Sequence, residues 1–189
     1  MAIKIGINGF GRMGRLAFRA AFDWPDIEFV HINEPNGDAA TLAHLVNFDS
    51  VHGRWCHEAV GDNANDTLSI DKHTLQCSHN TEIFDTDWSQ CDLVIEASGK
   101  KNNKALLQAY LEQGVQRVVV TAPVKEDGVL NIVMGVNDDL YDKHQHAIVT
   151  AASCTPNCLA PVVKVIHESL GIVHGSMTTI HDITNTQTI

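Results

Sequence analysis

The sequence predicts an α/β protein built on a doubly wound parallel sheet. Three observations carry that expectation. Short apolar runs alternate with amphipathic segments along most of the 189 residues, the pattern of strands joined by helical crossovers. A glycine-rich turn stands between the first apolar run and the first amphipathic segment. The chain is also long enough to bury a core without disulfides or metals.

The elements follow in order. "AIKIGIN" reads as a buried strand and "GRMGRLAFRAAF" as a helix. "IEFVHIN" is a second strand and "DAATLAHLVNF" a second helix. Residues 52–85 read as irregular, with small strand pieces at "TLSI" and "TLQCS". "CDLVIEAS" is a strand, and the helix "NKALLQAYLEQG" stops at Gly114. "RVVVTA", "NIVMGV" and "HAIVTAAS" are further strands. A helix over "TPNCLAPVVKVIHESL" stops at Gly171, and "GIVHGSMTTIHDIT" reads as a last strand. No fixed-period repeat, low-complexity segment or flexible linker interrupts the pattern.

Composition narrows the function. The chain is 44% hydrophobic and 19% charged, with a formal net charge of −10. That balance excludes broad nucleic-acid binding, which needs a basic surface, but leaves room for a local basic pocket. No apolar run approaches the ~20 residues of a membrane span. "MAIKIGINGF" lacks a signal-peptide pattern, so the cytoplasm is expected. The five cysteines, Cys56, Cys77, Cys91, Cys154 and Cys158, form no CxxC pair. Neither a disulfide framework nor a metal site is expected from that spacing.

"GINGFGRMGR" contains Gly9-x-Gly11-x-x-Gly14 directly after a strand and at the start of a helix. That context makes it a dinucleotide-binding candidate. The first glycine permits the tight turn, the second lets the backbone approach a pyrophosphate, and the third lets helix and strand pack closely. Glu34 ends the second strand, 20 residues after Gly14. A carboxylate there can accept ribose hydroxyls, although a solvated strand-end acid looks the same in sequence. It would repel a 2′-phosphate, and no Lys or Arg occurs between Arg19 and Arg54. NAD is therefore favoured over NADP.

Cys154 is the second candidate. It lies between Ser153 and Thr155 where an apolar run meets a helix start. A helix N-terminus stabilises an anion by about 0.3–1 kcal/mol, which is too little to make an efficient nucleophile. A basic partner is needed, and histidine is the usual one. Among eleven histidines, His181 stands out, ending "SMTTIH" before the hydroxyl- and amide-rich "DITNTQ". His167 and His174 are poorer placed. A buried thiol with an unrelated histidine remains the alternative. Cys158 shares a helical face with Cys154 and reads as a packing residue or an oxidation partner. Pro161 falls inside this helix with no reason for its tolerance visible in sequence.

Six motifs in order, "INGFGRMGR", "NFDSVHGRW", "TAPVKED", "MGVND", "AASCTPNCLAP" and "MTTIHDITNTQ", resemble the glyceraldehyde-3-phosphate dehydrogenase family. The resemblance covers the whole chain. It implies a Rossmann-type NAD-binding domain over residues 1–150 and the incomplete start of an α+β catalytic domain over 151–189. It implies that Cys154 is the acyl-forming thiol and His181, 27 residues later, its base. Ser153, Thr155 and Thr184 match positions that contact substrate or inorganic phosphate. Asn8, Gly9, Phe10, Gly11, Arg12, Met13 and Gly14 match the cofactor turn, and Ser98, Gly99 and Thr121 match cofactor-lining positions. Glu34 stands where the family usually has Asp.

The resemblance implies NAD-dependent oxidation of glyceraldehyde 3-phosphate through a thioester, with phosphate as acceptor, in a homotetramer. Some positions depart from it. Pro156 replaces the usual Thr, Asp182 and Ile183 replace a small residue and Tyr, and Thr188 stands where Lys is frequent. "EPNGDAATLAHLVNFDSVHGRW" and "HDITNTQTI" resemble the arsenate-resistance branch. There arsenate is the acceptor, and a membrane transporter exports the arsenylated product. The family's catalytic domain extends beyond the equivalent of Ile189. The expectation for the 189 residues alone is therefore exposed apolar surface and dinucleotide binding with little turnover.

Overall fold

The computed structural model describes residues 2–180. The chain begins with β1 (Ile3–Asn8), α1 (Arg12–Ala21), β2 (Ile27–Asn33) and α2 (Ala39–Asn47). A two-residue ribbon follows, β3 (Phe48–Asp49) with β4 (Gly53–Arg54), and then a meander of β5 (Ala59–Asp62), β6 (Thr67–Ile70) and β7 (His73–Ser78). Next come β8 (Leu93–Glu96), α3 (Lys104–Glu112), β9 (Arg117–Val120), β10 (Leu130–Asn131) and β11 (Ile148–Thr150). The last described element is α4 (Cys154–Leu170).

Nine strands form one sheet in the order β10-β11-β9-β8-β1-β2-β7-β6-β5. Every pair from β10 to β7 is parallel, and β7-β6-β5 is antiparallel. The expected doubly wound sheet is present. The chain leaves β1 towards β2 and later returns to β1's other edge as β8. This reversal opens a crevice at the carboxyl ends of β1, β2 and β8, where such sheets bind ligands.

Apolar side chains fill both faces of the sheet. Val94 packs into one cluster with Trp88, Leu107, Tyr110 and Val118. Its neighbours Leu93 and Ile95 pack against the other, with Ile7, Phe18, Ile32 and Leu42. Alternate residues of a strand face opposite sides, so α3 covers one face while α1 and α2 cover the other. Capping sets two of the helix starts. The Asp38 side chain accepts from the Thr41 N–H at 2.8 Å, and that of Asn103 accepts from the Leu106 N–H at 2.9 Å.

Three expectations need correction. The stretch read as irregular contains the three-stranded antiparallel meander. Its strands are short and broken by Asp66 and Asp71, which take left-handed conformations (φ 49° and 53°) at its turns. Of "NIVMGV", only Asn131 lies in a strand, as the last residue of β10. The Asn137 side chain accepts from the Val133 N–H at 2.8 Å and pulls residues 133–137 into a turn. Residues 171–180 form no strand in the described structure. Their apolar side chains are exposed, with Val173 at 87% and Ile180 at 94%, and a strand needs a neighbour to satisfy its backbone.

Candidate active site

The glycine turn and the ends of β1, β2 and β8 enclose a cleft of about 450 Å³. Gly9 turns the chain with φ +91°, and a Cβ there would lie 2.4 Å from the Ser98 nitrogen. A Cβ on Gly14 would lie 2.1 Å from the Gly9 carbonyl oxygen. Gly11 differs, since beyond its own chain neighbours no described atom lies within 4 Å of where its Cβ would stand. It lines the cleft and leaves open the face by which a pyrophosphate would reach the start of α1. The contacts at Gly9 and Gly14 are those of a tight turn and of close helix–strand packing.

Glu34 lines the same cleft. Its Oε2 accepts the Phe10 N–H at 2.8 Å, and its Oε1 accepts the Asn36 backbone N–H and side-chain amide at 3.0 Å each. The carboxylate therefore fixes the glycine turn to the end of β2. An ionised carboxylate accepts about four hydrogen bonds, so one acceptor position remains for a ligand hydroxyl. The fold also supplies positive charge that the local sequence lacks. Arg15, Lys100 and Lys101 line the cleft. Arg15 donates to the Phe10 carbonyl at 2.9 Å, and burial holds its guanidinium below its ordinary pKa.

Beneath the cleft lies a polar network that sequence reasoning missed. Glu96 is 1% exposed. Its Oε2 accepts from Asn8 Nδ2 at 2.7 Å and from the Tyr110 hydroxyl at 2.5 Å. Its Oε1 accepts the Ser98 N–H at 2.8 Å and the Ser98 hydroxyl at 2.5 Å. Burial, then the Glu96 charge, pushes the Tyr110 phenol above its ordinary pKa. Asn8 in turn accepts from Asn33 at 2.8 Å. A buried carboxylate is tolerated when its acceptor positions are filled, and this one holds Asn8 and Ser98 in place. The available signal was an acid in an otherwise apolar strand, "LVIE".

The remaining predicted cofactor residues are placed less uniformly. Phe10 and Ser98 line the cleft, as does Asn8. Met13 is 55% exposed, and Arg12 reaches away to Asp49 at 3.4 Å. Gly99 follows Ser98 with φ +70°. Thr121 sits at the end of β9, and its N–H donates to the Glu96 carbonyl at 2.9 Å.

The cysteine corner has a different build. Ala152 is buried and left-handed, with φ +55°, a conformation that costs a residue with a Cβ about 1–3 kcal/mol. Its N–H donates to the Thr150 hydroxyl at 3.0 Å. Asn157 Nδ2 clamps the corner by donating to the carbonyls of Ala151 and Ser153 at 2.7 and 2.9 Å. Cys154 emerges as the first residue of α4 and is exposed. It shares a second cleft, of about 440 Å³, with Thr155, Cys158, Val162 and residues 177–180. Ser153 caps the helix through its backbone position, without a side-chain capping bond.

Pro156 is the third residue of α4. A proline in the first turn sacrifices no intrahelical bond, because those N–H groups have none to make. It does remove one free donor from the helix end beside the thiol. α4 continues past Pro161, and Asn157, whose carbonyl loses its N–H partner, is exposed, so water can satisfy it. Cys158 is exposed and lines the second cleft beside Leu159 and Val162. His181 and Thr184 lie outside the described residues.

Fold, switch-point cleft and glycine turn define a dinucleotide-binding protein with a helix-terminal thiol. Residues 3–104 match the family model "Glyceraldehyde 3-phosphate dehydrogenase, NAD binding domain". Residues 153–189 match that family's C-terminal domain. The whole chain is 58% identical to glyceraldehyde-3-phosphate dehydrogenase 3 of Nostoc sp., over 56% of that protein's length. It is 44% identical to glyceraldehyde-3-phosphate dehydrogenase of Geobacillus stearothermophilus and 42% identical to glyceraldehyde-3-phosphate dehydrogenase 1 of Bacillus subtilis, again over 56% of each. The chain belongs to the glyceraldehyde-3-phosphate dehydrogenase family, and NAD is the cofactor of its first domain. It spans little more than half the length of these relatives.

Proposed function

We propose that this protein oxidises glyceraldehyde 3-phosphate with NAD through a thioester on Cys154. The observation that carries the reading is an exposed thiol at the first position of α4, behind a strained corner, in a chain with an NAD cleft. Residues 1–150 serve as the cofactor domain and 151–189 begin the catalytic one. Asn8 to Gly14, Glu34, Ser98, Gly99 and Thr121 hold the dinucleotide. Ser153, Thr155 and Thr184 contact the substrate or the acceptor oxyanion.

The Cys154 thiolate attacks the aldehyde carbon, and the carbonyl oxygen becomes the alkoxide of a thiohemiacetal. His181, protonated when it frees the Cys154 thiolate, gives that proton to the alkoxide and takes it back as the carbon is oxidised. NAD, when bound, accepts the hydride. The resulting thioester is cleaved by phosphate, which forms an acyl phosphate and releases the Cys154 thiolate. Helix-start N–H groups favour the developing negative charge. Phosphate or arsenate serves as the acceptor. The arsenate reading rests on the residues after Glu34 and around His181, and it links the protein to a membrane exporter of the arsenylated product. The protein works in the cytoplasm as a homo-oligomer, a tetramer by family likeness.

A second reading concerns the 189-residue polypeptide by itself. The exposure of α4 and of residues 171–180 favours dinucleotide binding with little turnover. The test follows NADH formation from glyceraldehyde 3-phosphate by the protein from its native source, with phosphate and with arsenate, beside the 189-residue chain. Activity with either acceptor that Cys154→Ser abolishes supports the thioester route. A Cys154→Ser protein that keeps most of its activity overturns it.

A further inference from the structure

The outer end of α1 lies apart from the residues that line either cleft. There the fold gathers side chains from three separate segments. Asp23 follows α1, Cys56 and His57 lie between β4 and β5, and Asp71 occupies the turn between β6 and β7. Donor atoms of Asp23, Cys56 and His57 all lie within 4.8 Å of one another. His57 Nε2 is 3.0 Å from an Asp23 carboxylate oxygen, and its Nδ1 is 2.7 Å from Asp71 Oδ2.

We infer that Asp23, Cys56 and His57 form a binding site for a zinc-class divalent cation, with Asp71 as the outer carboxylate that orients the histidine. Four features support it. Thiolate, imidazole and carboxylate are the three donor types that zinc takes. The arrangement His57–Asp71 reproduces the carboxylate–histidine pair found behind metal-bound imidazoles, which fixes which ring nitrogen faces the metal. With Nδ1 engaged by Asp71, Nε2 is the nitrogen left beside Asp23. Neighbouring ligands around a tetrahedral zinc lie roughly 3.3 Å apart for nitrogen and oxygen, close to the 3.0 Å between His57 Nε2 and Asp23.

The imidazole is also fixed by packing. Its ring stands nearly edge-on to Phe22 and Trp55, with centroids 4.9 and 4.8 Å away. Trp55 is buried, so the ring that would carry the metal is anchored to the core. Cys56 and Asp23 are exposed, which gives a cation access and leaves a fourth position for water. The spacing rule that looks for CxxC pairs missed the group, because its members come together through the fold.

The experiment titrates cobalt(II) and zinc(II) into the 189-residue chain under reducing conditions. A Cys154→Ser, Cys158→Ser background removes the other exposed thiols. One saturating equivalent of cobalt is expected, with a thiolate-to-metal charge-transfer band that zinc abolishes. Cys56→Ser removes the band, and Asp71→Asn weakens affinity about 10–100-fold. Zinc raises the melting temperature of the background protein and fails to raise that of Cys56→Ser. Cys56 is exposed, so its serine variant folds, and circular dichroism checks this. No saturable binding, or a band that survives Cys56→Ser, overturns the site.

Discussion

Around the glycine turn, the groups that face the switch-point cleft are tied to one another. Glu34 joins the turn to β2, and Glu96 joins Asn8, Ser98 and Tyr110 across β1, β8 and α3. Around the cysteine, by contrast, α4 contributes no buried residue among those described. Val162, Val165 and Leu170 are 56%, 63% and 84% exposed. The switch-point cleft is preorganised by hydrogen bonds among the residues around it. Among the described residues, the thiol is held at its corner by Ala152 and Asn157, and it shares its cleft with the exposed residues 177–180. Binding and chemistry should therefore separate under mutation.

The largest separation is expected from Cys154→Ser. In the protein from its native source it should lower turnover by more than roughly a thousandfold. NAD affinity, measured by calorimetry, should change less than about twofold. Equal losses of both would mean that the two clefts are one cooperative site. Next come the glycines. Gly9→Ala and Gly14→Ala force a Cβ into backbone and should each cost about 3 kcal/mol in urea unfolding. Gly11→Ala meets nothing, so it should leave stability within about 0.5 kcal/mol while weakening NAD binding. A destabilised Gly11→Ala would show that this glycine packs rather than faces ligand.

Glu96→Gln tests the network beneath the cofactor cleft. Its amide presents N–H groups to partners that already donate, so a loss of about 2 kcal/mol is expected, with weaker NAD binding through Ser98. An unchanged stability would mean that the hydroxyls of Tyr110 and Ser98 reorient to absorb the change. A paired comparison probes the two halves directly. Val118→Ala in the core should cost about 2 kcal/mol, whereas Val165→Ala on α4 should stay within about 0.5 kcal/mol. The smallest effect belongs to Pro156→Thr, which restores one N–H at the start of α4. With Cys56→Ser and Cys158→Ser as background, alkylation of Cys154 by iodoacetamide should rise by less than about threefold. A larger rise would make that one donor a main determinant of thiol reactivity.

Sequence legibility follows the range of the interaction. The glycine turn and the helix-start cysteine are set by neighbouring residues, so their spacing announces them. Glu34 is fixed by the length of one βαβ unit, and it too was readable. Glu96 was not, because its partner Asn8 is 88 residues away. Cys56 and His57 acquire meaning only when Asp23 and Asp71 are folded against them. Residues 171–180 have a strand-like pattern, yet a pattern sets which face is apolar and cannot supply a pairing partner.

The sequence by itself determined the alternation of strands and helices, the dinucleotide turn, its acidic companion and the position of the thiol. Each depends on local backbone geometry and on residue types at short spacing. Tertiary structure alone decided the antiparallel meander that extends the sheet beyond β2. It also decided the buried anchoring of Ser98 and Asn8 by Glu96, and the convergence of Asp23, Cys56 and His57. Those features arise where distant segments must satisfy each other's polar groups, and no local spacing records such a requirement.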